Sequence, residues 1–207
     1  MAPQTNRVCF FIDGFNLYHA LESNSSYHKY KWLNLAALAK CFVSSRDRIV
    51  DVLYFTAYTP WNNDKLARHQ LYVKALQFAD VKVVLGAFRR VDQICQLCHK
   101  TYQTFREKRT DVNIAVRLFQ TAVSDIWDTA MIISGDSDLI PAIEGVKKAF
   151  PAKRIGILIP TSRRAEELKQ AADFHSKIKP KHLETCQFAE TITLDKGNVL
   201  SRPASWK

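Results

Sequence analysis

Short apolar runs alternate along this chain with segments of helical periodicity, and that alternation constrains the fold more than any other feature. The runs are rich in β-branched and aromatic residues, as buried strands are, and cover residues 8–12, 48–58, 81–88, 127–133 and 154–159. Apolar residues spaced three and four apart predict helices at 32–42, 62–79, 110–124, about 139–150 and 165–173. Strands separated by helices predict an α/β fold with a mainly parallel central sheet of about five strands, flanked by helices.

Three regions are predicted from weaker patterns. The helix at 110–124 has an apolar stripe that we expect to face the core, made of Val112, Ala115, Val116 and Phe119. Residues 89–107 show no clear period and are expected to be irregular. The segment from Glu190 onward has little periodicity, which favours a loosely held tail.

The composition of the chain indicates which kind of partner it binds and which cellular compartment it occupies. The chain has 207 residues, 47% of them hydrophobic, so it can bury a core and is not disordered. Thirty basic against twenty acidic side chains leave a formal charge of +10, which favours an anionic partner such as nucleic acid. Five cysteines and a polar start at residues 1–7, unlike a secretory leader, predict a reducing compartment, the cytoplasm. No apolar run reaches the roughly 18 residues of a membrane span, so no membrane association is expected.

Acidic residues follow two of the predicted strands. Asp13 ends the first strand, and Asp136 and Asp138 follow the strand at 127–133. The carboxyl ends of parallel strands share one edge of a sheet, so these side chains can converge there. Asp111, in the first turn of a predicted helix, can point toward the same edge. Clustered carboxylates repel one another unless a cation is bound, and their hard oxygen atoms suit Mg²⁺ or Mn²⁺. Such a site can activate water for phosphodiester hydrolysis.

These carboxylates also have ordinary structural explanations. Asp13 can form a turn with Gly14, and Asp138 or Asp111 can cap a helix. Acids at the ends of several predicted elements on one edge are harder to explain in this way. The pair Asp136 and Asp138, in a turn rich in glycine and serine, is the most specific part of the pattern.

The strings FIDGFNL at 11–17, EKRTDV at 107–112 and ISGDSDLIP at 133–141 resemble the NYN domain of the PIN-like nuclease superfamily, in particular its LabA/DUF88-like branch. The resemblance covers roughly residues 7–188 and leaves 189–207 as a C-terminal tail. It implies a PIN-like three-layer sandwich that cleaves RNA with a Mg²⁺ or Mn²⁺ ion and an activated water. The metal ligands that it implies are Asp13, Asp111, Asp136 and Asp138.

The same resemblance adds a polar catalytic role for Asn16, although this side chain can instead only brace the turn after Asp13. Members of the branch often have a glycine and a hydrophobic residue where this chain has Arg109 and Thr110. Arg109 can lie close to the site and contact phosphate.

Basic and aromatic residues are interleaved just before Asp111. Cations suit phosphates and aromatic rings suit unstacked bases, so this stretch favours RNA, single-stranded or in loops, as the partner. The candidate RNA-binding residues are Arg89, Arg90, Lys100, Tyr102, Arg106, Lys108 and Arg109. A solvated charged loop explains the same composition equally well. A second basic group is expected to be solvated surface, and consists of Arg163, Arg164, Lys177, Lys179 and Lys181.

A Cys-x-x-Cys-His string lies inside this basic stretch. Cys95, Cys98 and His99 offer two or three of the four ligands that a structural zinc ion normally takes. No second cysteine pair follows, and His69 is one candidate for the fourth ligand. Structural zinc therefore remains one interpretation of the string.

The complete acid set favours a metal-dependent ribonuclease. The alternative is an NYN-like domain that binds RNA or a protein without cutting it. A haloacid-dehalogenase-like phosphatase is disfavoured because Phe15 stands where it needs a second aspartate. A homo-oligomer is compatible with each of these functions.

Overall fold

The computed structural model describes residues 5–194 and 197–206. In chain order the strands are β1 (Asn6–Asp13), β2 (Asp47–Thr56), β3 (Lys82–Leu85), β4 (Ala87–Ile94), β5 (Thr101–Lys108), β6 (Thr129–Ile133), β7 (Arg154–Ile159), β8 (Phe174–Lys177), β9 (Thr191–Thr193) and β10 (Val199–Ser201). The α-helices are α1 (Gly14–Glu22), α2 (Leu35–Lys40), α3 (Asn63–Phe78), α4 (Thr110–Val123), α5 (Ile140–Ala149), α6 (Glu166–Ala171) and α7 (Pro180–Thr185). Short 3-10 helices cover Ser25–Tyr30, Ser137–Leu139 and Ala204–Trp206.

Six strands form the main sheet, in the order β3-β2-β1-β6-β7-β8. Every neighbouring pair in it is parallel. The predicted α/β fold with a mainly parallel sheet is therefore confirmed. The sixth strand is β8, whose four residues are mostly exposed and carry no continuous apolar run. An edge strand of this kind gives no sequence signal of a buried strand.

Helices cover both faces of the sheet, which makes three layers. Alternate residues of β1 point to opposite faces, with Phe10 and Ile12 on one side and Phe11 on the other. On the first side they pack with α1, α2, α3 and α7, and on the second side with α4, α5 and α6. Each side has a fully buried tryptophan, Trp32 on the first and Trp127 on the second. The sheet thus divides one chain into two hydrophobic cores.

The expected inward stripe of α4 is wrong. Its buried apolar side chains are Ile114, Leu118 and Ala122. The residues expected inside are instead partly or largely exposed, with Val112 63%, Val116 48% and Phe119 42% accessible and Ala115 half-buried. The helix carries apolar residues on two faces, and a period near 3.6 cannot tell which of them meets the sheet.

The expectation that residues 89–107 are irregular is also wrong. β4 and β5 pair antiparallel over their full length, from Ala87 opposite Lys108 to Ile94 opposite Thr101. Both faces of this hairpin carry polar side chains, so the alternation that normally identifies a strand is absent from the sequence. The apolar run at 81–88 is divided at Gly86. β3, before this glycine, belongs to the main sheet, and β4, after it, belongs to the hairpin.

The segment after residue 188 is held firmly where the structure describes it, contrary to expectation. β9 and β10 pair antiparallel, and Ile192 is buried in the first core. The ring of Trp206 lies 6.3 Å from that of Trp32 and 5.8 Å from that of Tyr72. Aromatic packing of this size offsets the entropy lost on ordering a terminus. Residues 195, 196 and 207 of the predicted tail, and residues 1–4 of the polar start, lie outside the described residues.

Within the described ranges, no helix combines the length and the apolar character needed to cross a bilayer.

Candidate active site at the switch point of the sheet

β1 and β6 lie side by side at the centre of the sheet, where the strand order changes direction. From β1 the chain builds outward to β2 and β3, and from β6 it builds outward on the other side to β7 and β8. The two connections leave a crevice at the carboxyl ends of the central strands, which is where open parallel sheets bind ligands. Asp13 ends β1, and the loop at 134–136 follows β6.

Two hydrogen bonds fix the carboxylate of Asp13, which is only 3% exposed. Its Oδ1 atom accepts a hydrogen bond from the backbone N–H of Asn16 at 3.0 Å, which caps α1, and its Oδ2 atom accepts from the hydroxyl of Ser134 at 2.9 Å. Gly14 allows this tight exit from β1, because a Cβ atom there would lie 2.6 Å from the carbonyl oxygen of Phe55. The buried carboxylate therefore has a set direction as well as a set position.

The loop after β6 is tied to α1 and to Asp13. The backbone N–H of Gly135 donates to Asn16 Oδ1 at 2.9 Å, and the backbone N–H of Asp136 donates to Ser134 Oγ at 3.1 Å. Asn16 thus connects the segments that follow the two central strands. Its side chain does more than brace the turn after Asp13. Ser134 links Asp13 to Asp136, a role that the sequence analysis missed although this serine directly precedes the Gly-Asp pair.

Asp111 reaches the crevice from the first turn of α4. The turn before this helix is held by Glu107, whose Oε1 atom accepts from the backbone N–H of Thr110 at 3.0 Å and from the Thr110 hydroxyl. Arg109 precedes the helix with φ at +84°, in the left-handed region that favours glycine. This backbone conformation explains why a glycine suits the position. Glu107 is a second residue that sequence reasoning missed.

Three carboxylates from distant parts of the chain converge in the crevice. One oxygen from each of Asp13, Asp111 and Asp136 lies within 4.8 Å of the other two. Asp138 is exposed and is not part of this group, although its backbone N–H donates to Asp136 Oδ1 at 3.1 Å. The structure therefore brings together three of the four predicted metal ligands and leaves the fourth at the edge.

The electrostatics of the group favour a bound cation. Burial raises the pKa of Asp13, against the hydrogen bonds from Asn16 and Ser134. Partial burial, and then the negative charges of Asp13 and Asp136, raise the pKa of Asp111 to about 6. Hard oxygen ligands at this separation fit a divalent ion such as Mg²⁺ or Mn²⁺, whose charge would relieve the repulsion. The donor set contains no thiolate or imidazole, so it does not resemble a zinc site.

A cleft of about 670 Å³ extends from the carboxylates across the first core. Its acidic end holds Asp13, Asp111 and Asp136, and its apolar end is lined by Leu33, Tyr54, Tyr72 and Trp206. Basic side chains also line it, namely Lys31, Lys65, Arg68 and Arg163. Arg163 was expected to be solvated surface and is instead part of this cleft.

An aromatic cluster lies beside the cleft, at the base of the β4–β5 hairpin. The ring of Trp61 stacks on Phe105 with centroids 3.9 Å apart, and it meets Phe88 edge-on at 4.7 Å. Phe88 in turn meets Phe15 of α1 at 5.5 Å. These contacts attach the hairpin to the body of the protein next to the carboxylates. Trp61 remains 44% exposed, and sequence reasoning overlooked it because it lies in a loop outside the basic stretch.

The sequence model of the NYN domain matches residues 7–179. This chain belongs to the NYN domain family. The family places it in the PIN-like superfamily that the sequence motifs indicated, and the parallel sheet flanked by helices agrees with a PIN-like sandwich.

Two other comparisons bear on this NYN protein. It is 23% identical to 6-hydroxy-3-succinoylpyridine 3-monooxygenase HspA of Pseudomonas putida, with 97% of this chain and 75% of that protein covered. Its fold is similar to a crystal structure of a protein of unknown function from Vibrio parahaemolyticus, with a TM-score of 0.61 and 14% sequence identity. That similarity covers 87% of this chain and 97% of the other. At this identity the structural match shows the fold alone.

The predicted RNA-binding residues of the NYN protein lie on both faces of the hairpin. Cross-strand partners share a face, so Arg90, opposite Phe105, lies on the face that also carries Phe88 and Glu107 and meets the cleft. The opposite face carries Arg89, Arg106, Lys108 and Tyr102. Lys100 lies in the connecting turn, and Arg109 is exposed and outside the cleft lining. The basic side chains of the hairpin strands are therefore concentrated on the face away from the cleft, and Arg90 lies on the other face with Asp92 and Glu107.

The cysteine turn is at the far end of this hairpin. Its backbone is closed by a hydrogen bond from His99 N–H to the carbonyl oxygen of Cys95 at 2.8 Å. Hydrogen bonds from the backbone of Cys98 and Leu97 lower the pKa of the Cys95 thiol. Cys95, Cys98 and His99 are not among the groups of three ligand atoms within 4.8 Å that the described residues form. His69, the suggested fourth ligand, lines the cleft instead, with Nε2 3.1 Å from Thr56 Oγ1.

Proposed function

We propose that this NYN protein is a metal-dependent ribonuclease that hydrolyses RNA phosphodiester bonds. The observation that carries the proposal is the convergence of Asp13, Asp111 and Asp136 within 4.8 Å at the switch point of a basic protein. Family membership supports it, because a nuclease superfamily is where such an acid cluster has a known use. The strings at 11–17, 107–112 and 133–141 also support the LabA/DUF88-like branch, although Arg109 departs from the glycine that is common there.

The proposed metal ligands are Asp13, Asp111 and Asp136, with Asp138 acting from the exposed edge of the cluster. When bound, a Mg²⁺ or Mn²⁺ ion polarises a water molecule and offsets negative charge on the phosphoryl oxygens. The chain's own part is to hold the carboxylates in place. Ser134 orients Asp13, and Asn16 fixes the loop that carries Asp136.

The proposed partner is RNA in single strands or loops, because aromatic rings that suit unstacked bases lie beside the cleft. Arg90 lies on the same hairpin face as Phe88, which lines the cleft. Positive charge and a ring outside the cleft come from Arg89, Arg106, Lys108, Tyr102, Lys100 and Arg109. Phosphate contacts of this kind release counterions, so affinity should fall steeply with salt. The cytoplasm stays the proposed location, since all five cysteines are free.

The decisive experiment is cleavage of a fluorescently labelled single-stranded RNA with Mn²⁺ or Mg²⁺, with and without EDTA. We expect cleavage by the parent protein, none in EDTA, and none by Asp13→Asn or Asp136→Asn. Asp80→Asn is the matched control, because Asp80 is exposed at the end of α3 with φ at +59°, a conformation that asparagine also adopts. Equal cleavage by Asp13→Asn and the parent overturns the proposal. Metal-dependent RNA binding without cleavage would support the non-cutting alternative.

A second candidate function comes from the relative named as a monooxygenase. The apolar end of the cleft, with Tyr54, Tyr72 and Trp206, has walls suited to an aromatic ring. Hydroxylation of a pyridine ring consumes dioxygen and a two-electron reductant. The test is incubation with 6-hydroxy-3-succinoylpyridine, air and NADH, followed by mass spectrometry of the products. Because the relative's name places the oxygen on C3, the carbon that bears the succinoyl group, the new C–O bond must displace that group. The product to look for is a dihydroxypyridine that has lost the succinoyl group; its formation would favour this candidate over the ribonuclease, and its absence would remove it.

A further inference from the structure

Arg163 lies at the acidic end of the cleft, in the loop that follows β7. The backbone at Ser162 has φ at +65°, which turns the chain immediately before this arginine. A Cβ atom placed on Gly135 would lie 3.3 Å from Arg163 Cβ and 3.4 Å from Asn16 Oδ1. The side chain of Arg163 therefore passes directly over the glycine that separates Ser134 from Asp136.

The guanidinium of Arg163 has no partner among the described residues. Its Nε atom is buried and makes no hydrogen bond, and no carboxylate of the described chain lies within salt-bridge distance of it. Arg7 shows the usual alternative, since its guanidinium donates to Asp125 and to Asp128. Arg163 lines the same cleft as the three carboxylates and pairs with none of them, so its donors are placed to bind an anionic ligand. Buried donors without acceptors are otherwise rare in folded proteins.

The chemistry of that ligand follows from the surroundings. A guanidinium offers planar N–H donors that match the non-bridging oxygens of a phosphate, and it stays protonated at any physiological pH. The carboxylates next to it would repel a carboxylate or phosphate ligand unless a divalent ion were bound there. A phosphodiester that contacts both the divalent ion and the arginine places its negative charge between two positive groups.

We propose that Arg163 forms an anion subsite that holds a non-bridging oxygen of the RNA phosphodiester beside the carboxylate cluster. This inference rests on the proposed ribonuclease function and names the residue that binds the reacting phosphate. The guanidinium exchanges no proton during hydrolysis. It offsets the negative charge that builds on the phosphoryl oxygens while the attacking water adds to phosphorus and the sugar oxygen leaves.

The test compares Arg163→Met, Arg163→Lys and Arg164→Met. Methionine keeps the aliphatic stem over Gly135 without the charge, and lysine keeps the charge without the fork of donors. Arg164 is the matched control, because it is the exposed neighbour of the same residue type and does not line the cleft. Thermal melts of all variants first establish that each protein folds as the parent does.

For cleavage of single-stranded RNA with Mn²⁺, we expect kcat to fall about 100-fold in Arg163→Met, as for loss of one donor to developing negative charge. Arg163→Lys should recover part of that loss, and Arg164→Met should stay within about twofold of the parent. If Arg163 only packs against Gly135, Arg163→Met will match the parent. That result overturns the inference while leaving the ribonuclease proposal intact.

RNA binding gives a readout that does not need cleavage. Fluorescence anisotropy in the Asp13→Asn background, over a salt series with Mg²⁺, should show the slope of log K against log salt reduced by about 0.7 in Arg163→Met, the value for one phosphate contact with a single strand. An unchanged slope contradicts the subsite. If the parent never cleaves RNA but the slope still falls, the subsite stands and the ribonuclease function does not.

Discussion

Replacement of Asp111 by asparagine should stabilise the metal-free protein near neutral pH. Burial and the charges of Asp13 and Asp136 raise the pKa of Asp111 from 3.8 to about 6, so its ionised form is disfavoured in the folded state. A group with a raised folded pKa contributes stability below its unfolded pKa, and that contribution is lost as the pH rises through about 6. The parent protein in EDTA should therefore lose stability between about pH 4 and pH 7, and Asp111→Asn should not lose this part.

The size of the effect follows from the pKa. A change from 3.8 to about 6 corresponds to at most about 3 kcal/mol, and because Asp111 is only half-buried, solvent screening reduces this to about 1–1.5 kcal/mol. For a chain of this length, that free energy of unfolding raises Tm by roughly 2–6 °C. The assay is a thermal melt in EDTA at pH 5 and pH 7.5. We expect a higher Tm for the variant at pH 7.5 and a smaller difference at pH 5.

Two further measurements make the test specific. Adding Mn²⁺ should raise the Tm of the parent more than that of Asp111→Asn, because the ion binds the carboxylate in the folded state. Asp128→Asn should behave in the opposite way, since hydrogen bonds from Arg7 lower the pKa of Asp128 and this ionised carboxylate stabilises the fold. A lower Tm for Asp111→Asn than for the parent at pH 7.5 in EDTA would refute the reasoning about repulsion.

Three other variants test the parts that position the site. Asn16→Ala removes the acceptor for the Gly135 N–H and should cost about 1–2 kcal/mol of stability in urea unfolding; RNA cleavage should also slow, whereas a purely local cap would leave the rate unchanged. Arg109→Gly relieves a positive φ and should raise stability by about 0.5–1 kcal/mol in the same assay, and a loss would show that the Arg109 side chain makes compensating contacts. Trp61→Ala removes the stack on Phe105 and should increase hydrogen exchange in the β4–β5 hairpin about fivefold, with weaker RNA binding; unchanged exchange would mean that other contacts hold the hairpin.

The sequence was a good guide wherever local pattern and tertiary burial agree. The first strand could be predicted because Val8 to Ile12 are buried on both faces of the sheet, and a buried parallel strand has a continuous apolar sequence. Asp13 and Asp136 could be assigned to one edge because the ends of parallel strands meet there by geometry alone.

The sequence was a poor guide where the same local pattern is compatible with both a buried and an exposed position. α4 has two apolar faces, and only packing against the sheet selects Ile114 and Leu118 for the core. The hairpin is polar on both faces, so its pairing depends on the antiparallel register and on the contact of Phe105 with Trp61. Neither the packing of α4 on the sheet nor the contact of Phe105 with Trp61 can be predicted from the periodicity of the local sequence.

Some features of the candidate site could likewise be predicted from the sequence, and others depended on tertiary contacts. The chain order and the strand–helix alternation by themselves determined a parallel sheet with acids at one edge. Only the tertiary structure decided that Asp138 stays at the margin, that Ser134 links two carboxylates, and that Arg163 enters the cleft while Arg164 stays exposed. The physical reason is that strand ends are placed by backbone hydrogen bonding, which local sequence encodes. The direction of a loop side chain depends on contacts with residues far away in the chain.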